Sequence, residues 1–140
     1  MELCERSTFE LACLLREHGI TATLQRVEIG RILFRDLSHL SAEQIRLAVN
    51  VDAKSIVSKA TVYNTLKLFV RKGLVKEVIV DPTKIFYEPK TTSHHHCYNV
   101  DTGELIDFQM DRPIPLDQIT TPDGTSAIGV DITVRVKKAI

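Results

Sequence analysis

The stretch Lys59-Ala60-Thr61-Val62-Tyr63-Asn64-Thr65-Leu66-Lys67-Leu68-Phe69-Val70-Arg71-Lys72-Gly73-Leu74-Val75-Lys76-Glu77-Val78-Ile79-Val80 changes period in its middle, and that change decides the fold. Up to Gly73, the apolar residues Val62, Leu66 and Phe69 recur at helical spacing, with Ser58 placed to cap the first turn. Beyond Gly73 the residues are β-branched and extended. Asp81-Pro82-Thr83-Lys84 supplies turn chemistry, and Ile85-Phe86-Tyr87-Glu88 returns as a second strand. A capped helix running into a hairpin predicts a recognition-type helix followed by a wing.

Towards the N-terminus the spacing predicts a short amphipathic helix over residues 9–18, closed by Gly19. Residues 24–37 carry Leu24, Val27, Ile32, Leu33 and Phe34 on a helical period after Thr23, a suitable cap. Ser41-Ala42-Glu43-Gln44 has the form of a capping box and opens a helix through Ile45, Leu47 and Val49. Helices followed by a recognition helix and a hairpin are the order of a winged helix-turn-helix, which lays that helix in the major groove and the hairpin along the backbone.

Towards the C-terminus, residues 89–92 read as a linker. Then come a strand around 95–99, a turn at 100–103, a strand over 104–108, a Pro-containing stretch from 112 to 122 and a last strand over 128–136. Some fifty residues hold little interior, and units of that size need a metal, a disulfide or a partner. Val130, Ile132, Val134 and Val136 alternate with Asp131, Thr133 and Arg135, giving one apolar face. A second copy is the economical cover, and a symmetric homodimer sets two recognition helices on successive half-sites. The expected fold class is α+β: a winged helix-turn-helix over 1–88, a hinge linker at 89–93, and a small α/β, mostly β, dimerisation domain over 94–140.

The net charge of zero conceals an asymmetry: residues 1–90 hold fourteen Lys/Arg against eleven Asp/Glu, and residues 91–140 hold four against seven. Lys54, Lys59, Lys67, Arg71, Lys72 and Lys76 occur with no acidic residue between them. Such a block is either a phosphate-contacting face or a solvated helix surface.

His94-His95-His96 holds three of the five histidines. In an extended chain His94 and His96 point one way and His95 the other, so one face offers an imidazole pair suited to a metal ion or haem. No C-x-x-C pair occurs among Cys4, Cys13 and Cys97, which argues against a disulfide framework and a four-cysteine zinc clip. The apolar runs are short, the N-terminus lacks the order of a secretory signal, and a reducing cytoplasmic setting without membrane contact is expected. A metallohydrolase built on the histidines is the rival reading, but no H-E-x-x-H, G-x-S-x-G or phosphate-binding glycine loop occurs.

Several segments together resemble the ferric uptake regulator (Fur) family. Thr21-Ala22-Thr23-Leu24-Gln25-Arg26 is similar to its T-x-Q-R element and His39-Leu40-Ser41-Ala42-Glu43-Gln44-Ile45 to its H-x-S-A-E element. Ala60-Thr61-Val62-Tyr63-Asn64-Thr65-Leu66 resembles its recognition helix. Tyr87-Glu88, the histidine run and Gly103 with Ile106-Asp107-Phe108 follow in the family's order. Asn64, the compact histidine run, the absence of paired cysteines and the final Val130–Val136 stretch look most like the iron response regulator branch.

The resemblance implies a homodimeric DNA-binding transcriptional regulator, mainly a repressor, of iron-uptake and haem-synthesis genes. It acts on a double-stranded operator and has a haem-synthesis enzyme as a further candidate partner. A peroxide-sensing or manganese-sensing regulator of the same family is the alternative. The family's hinge site maps onto His39, Glu88, His94, His96 and Asp107, a set suited to Fe(II), Mn(II) or Zn(II). Haem would instead take axial ligands from His94, His95 and His96. Tyr63, Lys59, Thr61 and Asn64 are the expected base-reading group, with Arg26, Lys54 and Lys84 on phosphates. Cys97 stands alone where many relatives carry a C-x-x-C clip, so no structural tetracysteine zinc is expected. Peroxide chemistry would act at a ligand histidine or at Cys97.

Overall fold

Among the described residues, four helices and a three-stranded sheet build the first of two compact units, Met1–Thr91; the second is Thr92–Ile140. The computed structural model describes residues 7–35, 39–51, 56–89 and 94–140. Lys54 and Cys4 lie outside the described residues, as do Leu37 and most of the expected linker.

The chain enters α1 (Thr8–Glu17) from Ser7, whose hydroxyl accepts from the Glu10 N–H. Gly19 ends α1 at φ +72° with the Ile20 N–H bonded to the Leu15 carbonyl and its own N–H to that of Arg16. Gly73 (φ +76°) closes α4 (Lys59–Arg71) in the same way, through Leu74 N–H to Phe69 O and Gly73 N–H to Val70 O. A left-handed residue just past the helix is what this double closure requires, and glycine adopts it without cost.

In α2 (Leu24–Arg35) the buried face is Val27, Ile29, Gly30, Ile32 and Leu33. Leu24, expected inward, is 72% exposed because it is the helix's first residue and precedes the core. α3 (Ala42–Val51) opens on the anticipated capping box: the Ser41 N–H donates to Gln44 Oε1 at 2.8 Å and the Gln44 N–H to Ser41 Oγ at 3.2 Å. It buries Ala42, Ile45 and Val49. Leu47 is exposed, since two residues beyond Ile45 is more than half a turn round the helix. Val62, Leu66 and Phe69 of α4 are fully buried against Leu11, Leu15, Ile29, Ile32, Leu33 and Ile45, the centre of one continuous apolar core.

The wing is β2 (Lys76–Asp81) antiparallel to β3 (Lys84–Glu88), with Val78 opposite Phe86 and a register shift between Ile79 and Asp81. Asp81 Oδ1 accepts from the Thr83 N–H and hydroxyl at 2.8 and 2.7 Å, so Pro82–Thr83 is the turn and Lys84 already belongs to the strand. A third strand was not anticipated. β1 (Leu40–Ser41) pairs with β3, Leu40 opposite Tyr87 and Ser41 opposite Phe86.

In the second unit β4 (His95–Asn99) is central, antiparallel to β5 (Leu105–Phe108) and parallel to β6 (Thr133–Val136). The last strand is shorter than the 128–136 expected, and Ile128 is 96% exposed. Parallel pairing sets the limit: the ladder with β4 begins at His96 opposite Thr133, with the Ile132 carbonyl accepting from the His96 N–H. The Pro-containing stretch contributes a single helical turn, Leu116–Gln118. Within this unit Tyr98, Leu105 and His96 are buried, while Ile106, Val134 and Val136 stay partly open. No helix among the described residues is long and apolar enough to cross a membrane.

Candidate metal centre and nucleic-acid interface

α4 has two faces. Val62, Thr65, Leu66 and Phe69 point inward, so the positions between them must point out. Lys59, Tyr63, Lys67 and Arg71 follow one another at i+4 along the exposed side, with Asn64 beside Tyr63. Tyr63 is 39% exposed and the Lys59 ammonium lies 5.8 Å from its ring centroid. A cation over a tyrosine face is favourable by about 0.5–1 kcal/mol at an exposed site and fixes the ring outward. Lys67 and Arg71 extend this basic stripe, which the sequence had left open between a phosphate face and a solvated one.

Arg26, Thr61 and Asn64, all among the expected DNA-binding residues, line one cleft. Arg26 Nη1 donates to the Thr21 carbonyl at 2.9 Å, which holds the guanidinium across the start of α2. The Thr61 N–H is capped by Ser58 Oγ. Lys84 is exposed at the wing tip opposite Asp81.

A residue absent from the sequence reading sets how α4 begins. The Asn50 amide bridges to Val57 in both senses, Nδ2 donating to its carbonyl at 3.0 Å and Oδ1 accepting from its N–H at 2.7 Å. This side chain plays the part of a strand partner between the end of α3 and the residue before the Ser58 cap. An asparagine near a helix end carries no distinctive signal, so only the folded chain reveals the clamp.

The five expected metal ligands fall into two sets, one in each unit. In the first unit the short β1 ladder places His39 next to Glu88 at the end of β3, and His39 Nε2 contacts Glu88 Oε2. Both side chains are only 4% exposed. The neighbouring Tyr87 points to the opposite face, into the core. Burial, helped by the Glu77 carboxylate, raises its phenol above the ordinary value and keeps it neutral.

In the second unit His94 and His96 share a side, as alternation demands, with ring centroids 4.5 Å apart. The β4–β5 register sets Asp107 opposite His96. His94 Nε2 lies 2.8 Å and His96 Nε2 3.4 Å from the same oxygen, Asp107 Oδ1. Ligand atoms of these three residues all lie within 4.8 Å of one another. Two imidazole nitrogens and one hard carboxylate oxygen converging on a common point suit a borderline divalent ion such as Fe(II), Mn(II) or Zn(II). The residues fit the group.

His95 does not join them. It faces the other side of β4, its ring 5.6 Å from that of Phe108, and its Nδ1 accepts the Ile132 N–H at 3.1 Å. With the Nδ1 lone pair used in this way, the ring proton of the neutral imidazole sits on Nε2. Ligation through Nε2 would put a proton on Nδ1, against the backbone donor. His95 thus faces away from His94 and His96 and ties β4 to the chain leading into β6. Cys97 follows on that same outward side, opposite Ile106 and Val134, and Cys13 and Cys97 are both free thiols.

The Ferric uptake regulator family model matches residues 17–133. A peroxide-responsive repressor PerR of Staphylococcus aureus is 34% identical over 109 residues, covering 78% of this chain and 73% of that protein. The Vibrio cholerae ferric uptake regulator superposes with a TM-score of 0.75 at 26% identity, over 91% of this chain and 98% of the other. The Pseudomonas aeruginosa ferric uptake regulator, solved with manganese, gives 0.65 at 30% identity, over 90% and 96%.

Proposed function

We propose that this chain, which belongs to the ferric uptake regulator family and is therefore a transcriptional regulator rather than an enzyme, represses an operator under control of a divalent ion held by its histidine and carboxylate residues. The observation that carries the reading is the convergence of His94 and His96 Nε2 on one oxygen of Asp107. His39 and Glu88, from the first unit, are assigned as the remaining ligands. When bound, the ion supplies a compact double positive charge with directed bonds to these donors.

The residues of the chain do the rest. His94 and His96 offer ring nitrogens, Asp107 and Glu88 balance the charge, and ligands drawn from both units take freedom from the hinge on binding. A dimer whose two recognition helices have fewer available separations binds a two-half-site operator more tightly, because the ligand favours one geometry over the others. Fe(II) is assigned as the regulatory ion, with Mn(II) and Zn(II) as substitutes. This follows the likeness to the iron response regulator branch at Asn64 and the histidine run.

The test is DNA binding by the purified full chain, using a duplex enriched from a random library. Metal-free protein is compared with protein given Fe(II), Mn(II), Zn(II) or haem. Binding that strengthens with a small ion and not with haem is expected; identical affinity in all five states overturns the reading. Base reading is assigned to Tyr63 and Asn64, with the hydroxyl and amide on base edges and the ring against a thymine methyl. Tyr63→Ala should weaken operator binding by about ten- to a hundredfold, the order of one lost base contact, while leaving scrambled DNA and the salt slope unchanged. Equal losses on both duplexes would assign Tyr63 to the backbone instead.

The likeness to PerR favours a second reading, peroxide sensing by the same centre. Peroxide added to Fe(II)-loaded protein would then oxidise His39, His94 or His96, seen as one added oxygen by mass spectrometry, and Mn(II)-loaded protein would be spared. Unmodified histidines with intact DNA binding leave simple ion sensing.

A further inference from the structure

A short strand, a capped helix and a side-chain bridge join the His39–Glu88 pair to the start of α4. His39 directly precedes β1, and β1 is held on β3 with Leu40 opposite Tyr87, one residue from Glu88. Ser41, the second residue of β1, is also the cap of α3: its hydroxyl accepts from the Gln44 N–H and its own N–H donates to Gln44 Oε1. α3 then runs ten residues, about 15 Å of helix, with Ala42, Ile45 and Val49 seated in the core along its length. At its far end Asn50 holds Val57 through both amide atoms, at 3.0 and 2.7 Å, and Val57 is the residue before the Ser58 cap of α4.

An ordinary side chain at a helix end points into water. Here a single residue supplies donor and acceptor to one backbone unit, as a strand neighbour does, and Val57 is buried. Such a pair resists both sliding and tilting, because either motion lengthens or bends one of the two bonds. The end of α3 and the start of α4 therefore move together. Thr61, Tyr63 and Asn64 stand in the first two turns of α4, so a small shift there displaces the reading residues.

We infer that Asn50 is a positioning residue that carries ion occupancy at His39 and Glu88 to the recognition helix, with α3 as the strut between them. The inference rests on the metal-responsive reading above and adds a route inside the first unit to the restraint of the hinge. With both side chains committed to one ion, β1 is fixed on β3 and the capped end of α3 is fixed with it. The bridge from Asn50 to Val57 passes that restraint to α4. Packed, rigid elements linked by hydrogen bonds are able to carry coupling of this kind.

The test compares wild type, Asn50→Ala and Asn50→Asp as full chains. Operator affinity is measured metal-free and with whichever of Fe(II), Mn(II) and Zn(II) most strengthens wild-type binding. Hydrogen exchange resolved to single residues by mass spectrometry follows the Val57 N–H in the same two states, without DNA. In the wild type the ion should raise operator affinity and slow exchange at Val57. Asn50→Ala should cut the affinity gain by about two- to thirtyfold, the span open to a residue on a coupling route, while its ion affinity without DNA matches the wild type. By reciprocity, the tightening of the ion by DNA should fall by the same factor. Asn50→Asp keeps the acceptor for the Val57 N–H and gives up the donor to its carbonyl, so its gain should fall between the other two.

An equal fractional loss of DNA affinity with and without the ion makes Asn50 a fastening of the fold alone and overturns the inference. So does a wild-type Val57 N–H whose exchange is indifferent to the ion. If Asn50→Ala fails to fold, Asn50→Asp and the wild-type exchange rates decide. A wild type whose DNA binding responds to no ion overturns the metal-responsive reading itself.

Discussion

Alanine at both His94 and His96 is expected to erase the metal dependence of DNA binding while leaving the weak metal-free affinity in place. Coupling between an effector and a ligand is typically worth about 5- to 150-fold, and the double variant should lose all of that gain. The reason is geometric. The β4 pleat puts these two rings on one side, and both present Nε2 to Asp107 Oδ1 at 2.8 and 3.4 Å. Without them Asp107 is an exposed carboxylate on a strand, which holds a divalent ion poorly.

His95→Ala is the control that a general disturbance of the strand would not pass. It removes the acceptor of the Ile132 N–H and should cost about 1 kcal/mol of stability, the net worth of a typical hydrogen bond, with the metal response retained. Calorimetric metal titration and DNA binding on the two proteins make the comparison. A retained response in the double variant, or its loss in His95→Ala, removes the centre from this face of β4.

Phe69→Ala should destabilise the first unit by about 3–5 kcal/mol, the range for emptying a buried aromatic site. Phe69 is fully buried where α4 meets the other helices, and its carbonyl receives the Leu74 N–H that closes the helix. That single position thus supports both the core behind the recognition stripe and the junction from which the wing departs. Leu47→Ala, on the exposed side of α3, should change stability by less than about 0.5 kcal/mol. Urea unfolding of the two variants supplies the test, and similar midpoints for both would contradict the core described here.

The local grammar of the first unit was legible because it is short-range. Ser58 and Ser41 cap helices through side chains that reach three residues ahead, and Gly19 and Gly73 stop helices through their own backbone freedom. A serine, a glycine and a 3.6-residue period need no distant partner. The winged-helix order and the expectation that His94 and His96 share a side come from that same information.

What failed was non-local. A two-residue strand such as β1 has no periodicity to detect and exists only because β3 pairs with it, yet it is what brings His39 beside Glu88. The last strand was read too long because alternation at Val130 and Ile132 looks like a strand whether or not a neighbour is there. The end of β4 sets where pairing begins.

By itself, then, the amino-acid order determined which segments coil, which extend, where each helix starts and stops, and which chemistry is available at each position. Only the tertiary structure decided that His95 accepts from the Ile132 N–H, that Asn50 clamps Val57, and that β1 sets His39 beside Glu88. The physical reason is range. Capping and periodicity act over three or four residues, whereas the bond from Ile132 to His95 spans thirty-seven, and partners that far apart meet only once the strands have paired.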